Sequence, residues 1–408
     1  MKTNDYLDLE LKYGAHNYHP LPVVLCKGEG VFVWDVEGNK YYDFLSAYSA
    51  VNQGHCHPRI IKALNDQAEL LTLTSRAFHN DVLGSFEKYA CDYFGFDKLL
   101  PMNTGAEGVE TAIKLCRKWA YQKKNISPNE AKIIVFGDNF HGRTTTIISF
   151  SNDTDAKNNF GPYTPGFISV EYNNLDLVKE LLSNESSIAG ILVEPIQGEA
   201  GVNVPDDGFL SGLKKMSQEH NVLLIADEIQ TGIARTGKML ACDHENVKPD
   251  ILILGKALSG GVFPVSAVLA NDDVMLCIRP GEHGSTYGGN PLGCKVAMEA
   301  LQVVKDEDLC NNSEVLGNMF RKELSDFADS NELITKVRGK GLLNAVLVND
   351  SPDSKTAWNL CLQLKEKGLL AKPTHGNIIR FAPPLVMNEE QLMDCIDIIK
   401  KTFSSYSI

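Results

Sequence analysis

Between about residues 130 and 270, short β-branched or leucine-rich runs alternate with amphipathic stretches. The runs lie at 132–136, 191–195, 222–226, 251–254 and 266–270. Most show no polar alternation, as expected of strands covered on both faces, so the pattern predicts an α/β fold with a mostly parallel central sheet covered by helices. Before the first run, Val109, Ala112, Ile113, Cys116 and Trp119 repeat at helical spacing behind Asn103-Thr104-Gly105-Ala106-Glu107. After about residue 290 the pattern changes. Two long helical stretches surround strand-like runs at 342–348 and 377–381, and a last helix spans about 389–402. These imply a smaller C-terminal α+β domain. The expected division is an N-terminal segment 1–48, a large domain 49–295 and a small domain 296–408.

With 408 residues the chain exceeds the size at which one core stops growing, which also favours two domains. Its 43% hydrophobic and 22% charged content is that of an ordinary globular protein. A formal net charge of −13 argues against a nucleic-acid or anionic-membrane partner, which this surface would repel on average. The ten cysteines stand singly, without a Cys-x-x-Cys pair, which argues against a zinc ribbon or dithiol motif and fits a reducing compartment. The N-terminus lacks an apolar signal core and an Arg-rich transit pattern, and no apolar stretch approaches the roughly 18 residues that span a bilayer. The expected location is the cytoplasm, or the mitochondrion if a processed leader precedes this sequence.

The chemistry gathers where the apolar runs end. Lys256 follows the run 251–254 and Gly255, and precedes the small-residue turn Ala257-Leu258-Ser259-Gly260-Gly261. A lysine delivered there loses solvation, which disfavours its ammonium form and frees the amine to condense with a carbonyl. Asp227 closes the run 222–226, and Glu194 lies within 191–195. In such sheets ligands collect outside the carboxyl ends of the strands. An amine on one strand end and a carboxylate on another suit pyridoxal phosphate, whose aldehyde takes the lysine while an Asp keeps the ring nitrogen protonated. Taken singly, a surface lysine and a helix-capping aspartate explain either residue as well. The Thr104-Gly105 pair opening a helix is a natural phosphate site, or simply an N-cap. Phe140 can stack on a planar ring and Arg143 can grip a carboxylate.

Other motifs are weaker. Gly232-Ile233-Ala234-Arg235-Thr236-Gly237-Lys238 has the spacing of a nucleotide-triphosphate loop, but Met239 replaces the hydroxyl that binds Mg²⁺. The segment 339–344 breaks Gly-x-Gly-x-x-Gly at its last position. Gly54-His55-Cys56-His57-Pro58 lacks a distant second cluster, so helix entry before Pro58 is expected rather than a metal. The loop 281–291, with Ser285 and Thr286, suits either phosphate contact or a plain connector.

Read together, the segments 103–107, 193–201, 226–232 and 254–261 make the chain resemble the class III, fold-type-I pyridoxal-phosphate aminotransferases over nearly its whole length. The resemblance implies a homodimer with its active site at the interface and small-molecule substrates. Lys256 would hold the cofactor and then shuttle a proton, and Asp227 would pair with the ring nitrogen. Gln230 would lie by the ring hydroxyl, Phe140 would stack on the ring, and Gly105 and Ala106 would present N–H groups to the phosphate. Thr286 would reach that phosphate from the neighbouring subunit, with Glu194 and Ser285 also at the cofactor. The implied reaction moves the δ-amino group of L-ornithine to 2-oxoglutarate. Arg380 would be masked by Glu199 while ornithine reacts and freed for the 2-oxoglutarate carboxylate. Tyr18 and Arg143 would hold the ornithine carboxylate, and Tyr48 would narrow the pocket. His141 departs from relatives that have Trp there. The rival readings are acetylornithine or 4-aminobutyrate as donor, and, from another class, a catalytically silent binding protein of the same fold.

Overall fold

The computed structural model describes residues 1–406. Near the N-terminus β1 (Leu25–Glu29), β2 (Phe32–Asp35) and β3 (Lys40–Asp43) form an antiparallel meander. Seven strands follow: β4 (Lys98–Met102), β5 (Lys132–Phe136), β6 (Phe167–Val170), β7 (Ile188–Val193), β8 (Leu223–Asp227), β9 (Ile251–Leu254) and β10 (Ser266–Ala270). They make one sheet in the order β4-β10-β9-β8-β7-β5-β6. The strands from β9 through β6 pair parallel, while β10 runs antiparallel to both β9 and β4.

The apolar runs carry no alternation because both faces of this sheet are covered. Within β5, Ile133 and Val135 enter one core cluster, while Ile134 and Phe136 enter the other. The helix Gly105–Lys123 covers the first of these faces with Val109, Ala112, Ile113, Cys116, Trp119 and Ala120 buried. It lies so close that a Cβ on Gly108 would come within 2.9 Å of Ile253.

β4 escaped the hydrophobic reading, since Lys98-Leu99-Leu100-Pro101-Met102 carries a proline. The strand sits at the sheet edge, where a missing donor on the open side costs nothing.

The C-terminal region contributes β11 (Ile334–Lys340), β12 (Leu343–Val348), β13 (Leu369–Leu370), β14 (Lys372–His375) and β15 (Ile378–Phe381). Four of them form an antiparallel sheet in the order β11-β12-β15-β14. β13 instead pairs parallel with β3, so the C-terminal region closes the N-terminal meander. The expected divisions at 48 and 295 remain a proposal. The first falls inside the turn 46–49, and the second inside the helix Pro291–Asp306. The 54–58 motif does enter a helix at Pro58, with His55 beside Asp43 and His57 beside Glu307. The segment 232–238 is an almost wholly buried turn, and its Arg235 donates to Asn52 Oδ1 and to the carbonyls of Leu342 and Pro383.

Candidate active site

Strands β5, β7, β8 and β9 are parallel neighbours, so the segments leaving their carboxyl ends reach one edge of the sheet. Phe140 follows β5, Glu194 follows β7, Asp227 ends β8 and Lys256 follows β9. A cavity of about 190 Å³ opens there, lined by all four together with Gly105, Ala106, His141 and Gln230. A second, of about 300 Å³, is lined by Tyr18, Tyr48, Arg143, Glu199, Lys372 and Arg380. Lys256 and Phe140 line both, so the two spaces adjoin at the amine.

Lys256 is buried and its amine pKa is lowered. Burial is the main cause and Arg380 adds to it, against the pull of Glu199, Asp227 and Glu194. Across the cavity Asp227 is 5% exposed, and its Oδ2 lies 2.6 Å from His141 Nδ1. A carboxylate only accepts, so the Nδ1–H of His141 donates. Burial works against the His141 cation, but Asp227 and then Glu194 outweigh it and raise the imidazole pKa. Asp227 Oδ1 also accepts the Ile229 N–H at 3.1 Å. Glu194 accepts the Phe140 N–H at 3.0 Å, and burial pushes its carboxyl up to about 7.

The helix Gly105–Lys123 points its N-terminus at the same cavity. Thr104 Oγ1 accepts from Glu107 N, and the Glu107 carboxylate returns the bond to Thr104 N at 2.8 Å. This capping box uses the Glu107 and Thr104 N–H groups. Gly105 and Ala106 keep theirs without a partner among the described residues. Free N–H groups at the positive end of a helix dipole hold a phosphate.

At the border of the two cavities Arg380 Nη1 donates to Glu199 Oε1 at 2.7 Å and to Gln230 Oε1 at 3.0 Å. Gln230 Nε2 closes the triangle on Glu199 at 2.9 Å. Burial opposes the Glu199 charge, but Arg380, Lys256 and Gln230 overcome it and bring the carboxyl down to about 2. The Nε of Arg380 is buried with no partner among the described residues. Its guanidinium lies 5.2 Å from the Tyr48 ring. Tyr18 and Arg143 are open to solvent, and Arg143 sits 5.8 Å from the Phe140 ring.

Of the residues expected from sequence, all but two line these cavities. Ser285 accepts from Asn103 Nδ2 at 2.8 Å, Thr286 is exposed, and neither lines the space within this chain. Sequence reasoning saw His141 only as a neighbour of Phe140. Its bond to Asp227 spans 86 positions and needs β5 and β8 brought together. Lys372 and Thr374 were also missed, on a strand only four residues long.

The residues fit pyridoxal phosphate: an amine, a held carboxylate and unpartnered N–H groups stand around one cavity, with an aromatic ring beside them. The family model for class-III aminotransferases matches residues 13–403. A mitochondrial ornithine aminotransferase of Drosophila melanogaster is 62% identical over 97% of this chain and 90% of that protein. A solved acetylornithine aminotransferase from Elizabethkingia anophelis is 61% identical, covers 100% of both chains and superposes with a TM-score of 0.92. The solved ornithine aminotransferase of Toxoplasma gondii, described with pyridoxal phosphate partly occupying its active site, is 50% identical over 99% of this chain and 94% of that one, with a TM-score of 0.97.

Proposed function

The chain belongs to the class-III aminotransferases, and on that premise we propose that it is an L-ornithine:2-oxoglutarate δ-aminotransferase. Its products are glutamate and glutamate 5-semialdehyde, which cyclises with loss of water to pyrroline-5-carboxylate. The observation that carries the reading is the adjoining pair of cavities, with a desolvated amine in both and a masked arginine in the second.

Pyridoxal phosphate, when bound, supplies an electron-withdrawing ring that lowers the cost of removing a proton from the carbon bearing the amine. The chain does the rest. Gly105 and Ala106 would hold the phosphate, and Phe140 would cover a ring face. Asp227, oriented by His141, would hold the ring nitrogen protonated. Lys256, whose burial favours the neutral amine, would take a proton from the donor carbon and hold it at Nζ for its return. Tyr18 and Arg143, at the solvent end of the second cavity, would hold the α-carboxylate of ornithine. That distance leaves the δ-amine, not the α-amine, nearest Lys256.

One pocket must also serve 2-oxoglutarate. With Glu199 on Arg380 the inner wall is electrically neutral and admits the aliphatic chain of ornithine. When Glu199 swings away, Arg380 gains an open fork for the α-carboxylate of the keto acid. A free amino-acid head needs the polar anchors Tyr18 and Tyr48 provide, which separates ornithine from 4-aminobutyrate. The Elizabethkingia structure makes N-acetylornithine the sharper rival.

The test is spectroscopic. Holoenzyme mixed with L-ornithine should lose the visible band of the lysine-bound cofactor and recover it with 2-oxoglutarate. Faster bleaching by N-acetylornithine or 4-aminobutyrate rejects the substrate choice, and no bleaching with any amine revives the silent binding protein.

The working unit is a homodimer. The helix Thr3–Tyr13 buries none of its residues in the single chain, and Leu70, Phe78, Phe160 and Tyr287 are each more than half exposed. An isolated helix of that length is marginal in water, so a second copy covering it accounts for its formation. The same copy would bring Thr286 to the phosphate. No helix among the described residues is long and apolar enough to cross a membrane. Ten free cysteines suit a reducing compartment, which we take to be the cytosol. The mitochondrial names of several relatives make the matrix the alternative, and cell fractionation separates the two.

A further inference from the structure

Ser46, Ala47, Tyr48 and Ser49 form one turn of left-handed helix, with φ of 49°, 46°, 60° and 71°. None is glycine. For L residues this conformation presses Cβ on the following carbonyl, so four in a row persist only where the surroundings hold them. The turn's own side chains do not supply that hold, since the Ser46 and Ser49 hydroxyls are buried without a partner among the described residues.

The holding groups lie outside the turn. Asp43, at the end of β3, accepts the Leu45 N–H at 2.8 Å and the Ser46 N–H at 2.9 Å on Oδ1. Its Oδ2 meets His55 Nε2 at 2.7 Å. His55 is fixed in turn by two backbone bonds with Gly30, of 3.0 and 2.8 Å. Its ring packs so tightly on Gly28 that a Cβ there would come within 2.9 Å.

Both ends of the segment are tied to the chain leaving β15, which carries Arg380. Phe44 O accepts from Ala382 N, and Asn52 O accepts from Leu385 N, each at 2.8 Å. The buried Arg235 joins the same two pieces, donating to Asn52 Oδ1 at 2.6 Å and to Pro383 O at 2.6 Å. Tyr48 and Arg380 are therefore parts of one braced unit, which fixes the 5.2 Å between guanidinium and ring.

We propose that Asp43 and His55 are positioning residues for donor selection: they lock 46–49 left-handed, so that the Tyr48 ring stays against Arg380 and sets the width of the second cavity. The inference rests on the reading that this cavity takes the amino donor. Neither residue lines the cavities, so their effect passes through the turn.

The experiment compares Asp43→Ala, Asp43→Asn, His55→Gln and Ala47→Gly with wild-type holoenzyme, reading cofactor affinity, melting temperature and kcat/KM for L-ornithine and 4-aminobutyrate. Asp43→Ala should keep the cofactor but lower the ornithine preference about tenfold, mostly through KM for ornithine. Asp43→Asn retains an acceptor for the two N–H groups and should restore most of that preference. Ala47→Gly should hold or raise the melting temperature, because glycine takes the left-handed backbone freely, whereas the same change in ordinary helix lowers it. An unchanged preference in Asp43→Ala overturns the proposal, and so does a lowered melting temperature in Ala47→Gly. Should Asp43→Ala fail to fold, an unchanged preference in both His55→Gln and Ala47→Gly overturns it equally. A wild-type enzyme that ignores ornithine sinks the functional reading instead, and the melting of Ala47→Gly still decides whether the turn is left-handed.

Discussion

His141 and Asp227 meet at 2.6 Å with side chains 1% and 5% exposed, and Glu194 shares their buried space. Three titratable groups so placed make stability depend on pH in a direction that can be worked out. Glu194 holds its proton to about 7 in the folded chain against 4.5 ordinarily, because burial disfavours its charge. His141 also titrates above its ordinary 6.5, since Asp227 and Glu194 outweigh the burial that opposes its charge. The folded state thus binds more protons than the unfolded one. The stability these two groups contribute is present below the unfolded values and lost as pH rises through the folded ones. Glu199 has the opposite sign: brought down to about 2, it contributes above 4.5 and loses that only as pH falls through about 2. Cofactor-free protein should therefore melt higher near about pH 6 than near about pH 8.5. Scanning calorimetry should show a smaller difference in Glu194→Gln and in His141→Asn, and an unchanged slope in both would refute the assignment. At the amine, Lys256→Ala should remove the visible band of the lysine-bound cofactor and cost at least about 10³-fold in turnover. Retention of the band in that variant would mean that another group carries the aldehyde.

The helix Gly105–Lys123 is the element on which the proposed phosphate contact depends. Its capping box settles the N–H groups of Thr104 and Glu107 and leaves those of Gly105 and Ala106 aimed outward. Thr104→Ala should lower folding stability by about 1 kcal/mol in a denaturant titration, the usual cost of a lost N-cap. It should also weaken cofactor binding in a fluorescence titration, because a frayed first turn no longer presents its N–H groups in one direction. Full affinity in a destabilised Thr104→Ala would show that the phosphate is held elsewhere. The hydrophobic runs located β5, β9 and β10 to the residue, because a strand buried on both faces has no choice but to be apolar throughout. Parallel or antiparallel pairing was not legible in them. Ser266-Ala267-Val268-Leu269-Ala270 reads like its neighbours yet runs against them, since direction depends on the connection and not on the strand.

At the scale of the whole molecule, Thr286 decides whether the site is completed by a second copy. Thr286→Ala should weaken cofactor binding with little change in melting temperature, given that its side chain is exposed in the single chain. A hybrid dimer of one Lys256→Ala chain and one Thr286→Ala chain then separates the cases. If Thr286 acts across the interface, the hybrid has one site with both residues intact, and cofactor titration should find half the sites at wild-type affinity. If it acts within its own chain, no site recovers. Sedimentation of the wild-type chain tests the proposed dimer directly, and a monomer with full activity would contradict the shared site.

Position along the chain was enough to place Lys256, Asp227 and Glu194 at the ends of apolar runs, and so to suggest both the sheet edge and the cofactor. Those features are local: desolvation of a strand-end lysine, a capping threonine and a glycine that opens a helix are written in neighbouring residues. The bond from His141 to Asp227, the mask of Glu199 over Arg380 and the brace from Asp43 to Tyr48 were decided elsewhere. Glu199 and Arg380 stand 181 positions apart, and no local pattern fixes their separation. Only packing the C-terminal sheet against the large one closes that distance to 2.7 Å, where burial turns two ordinary side chains into a charge pair that each must keep.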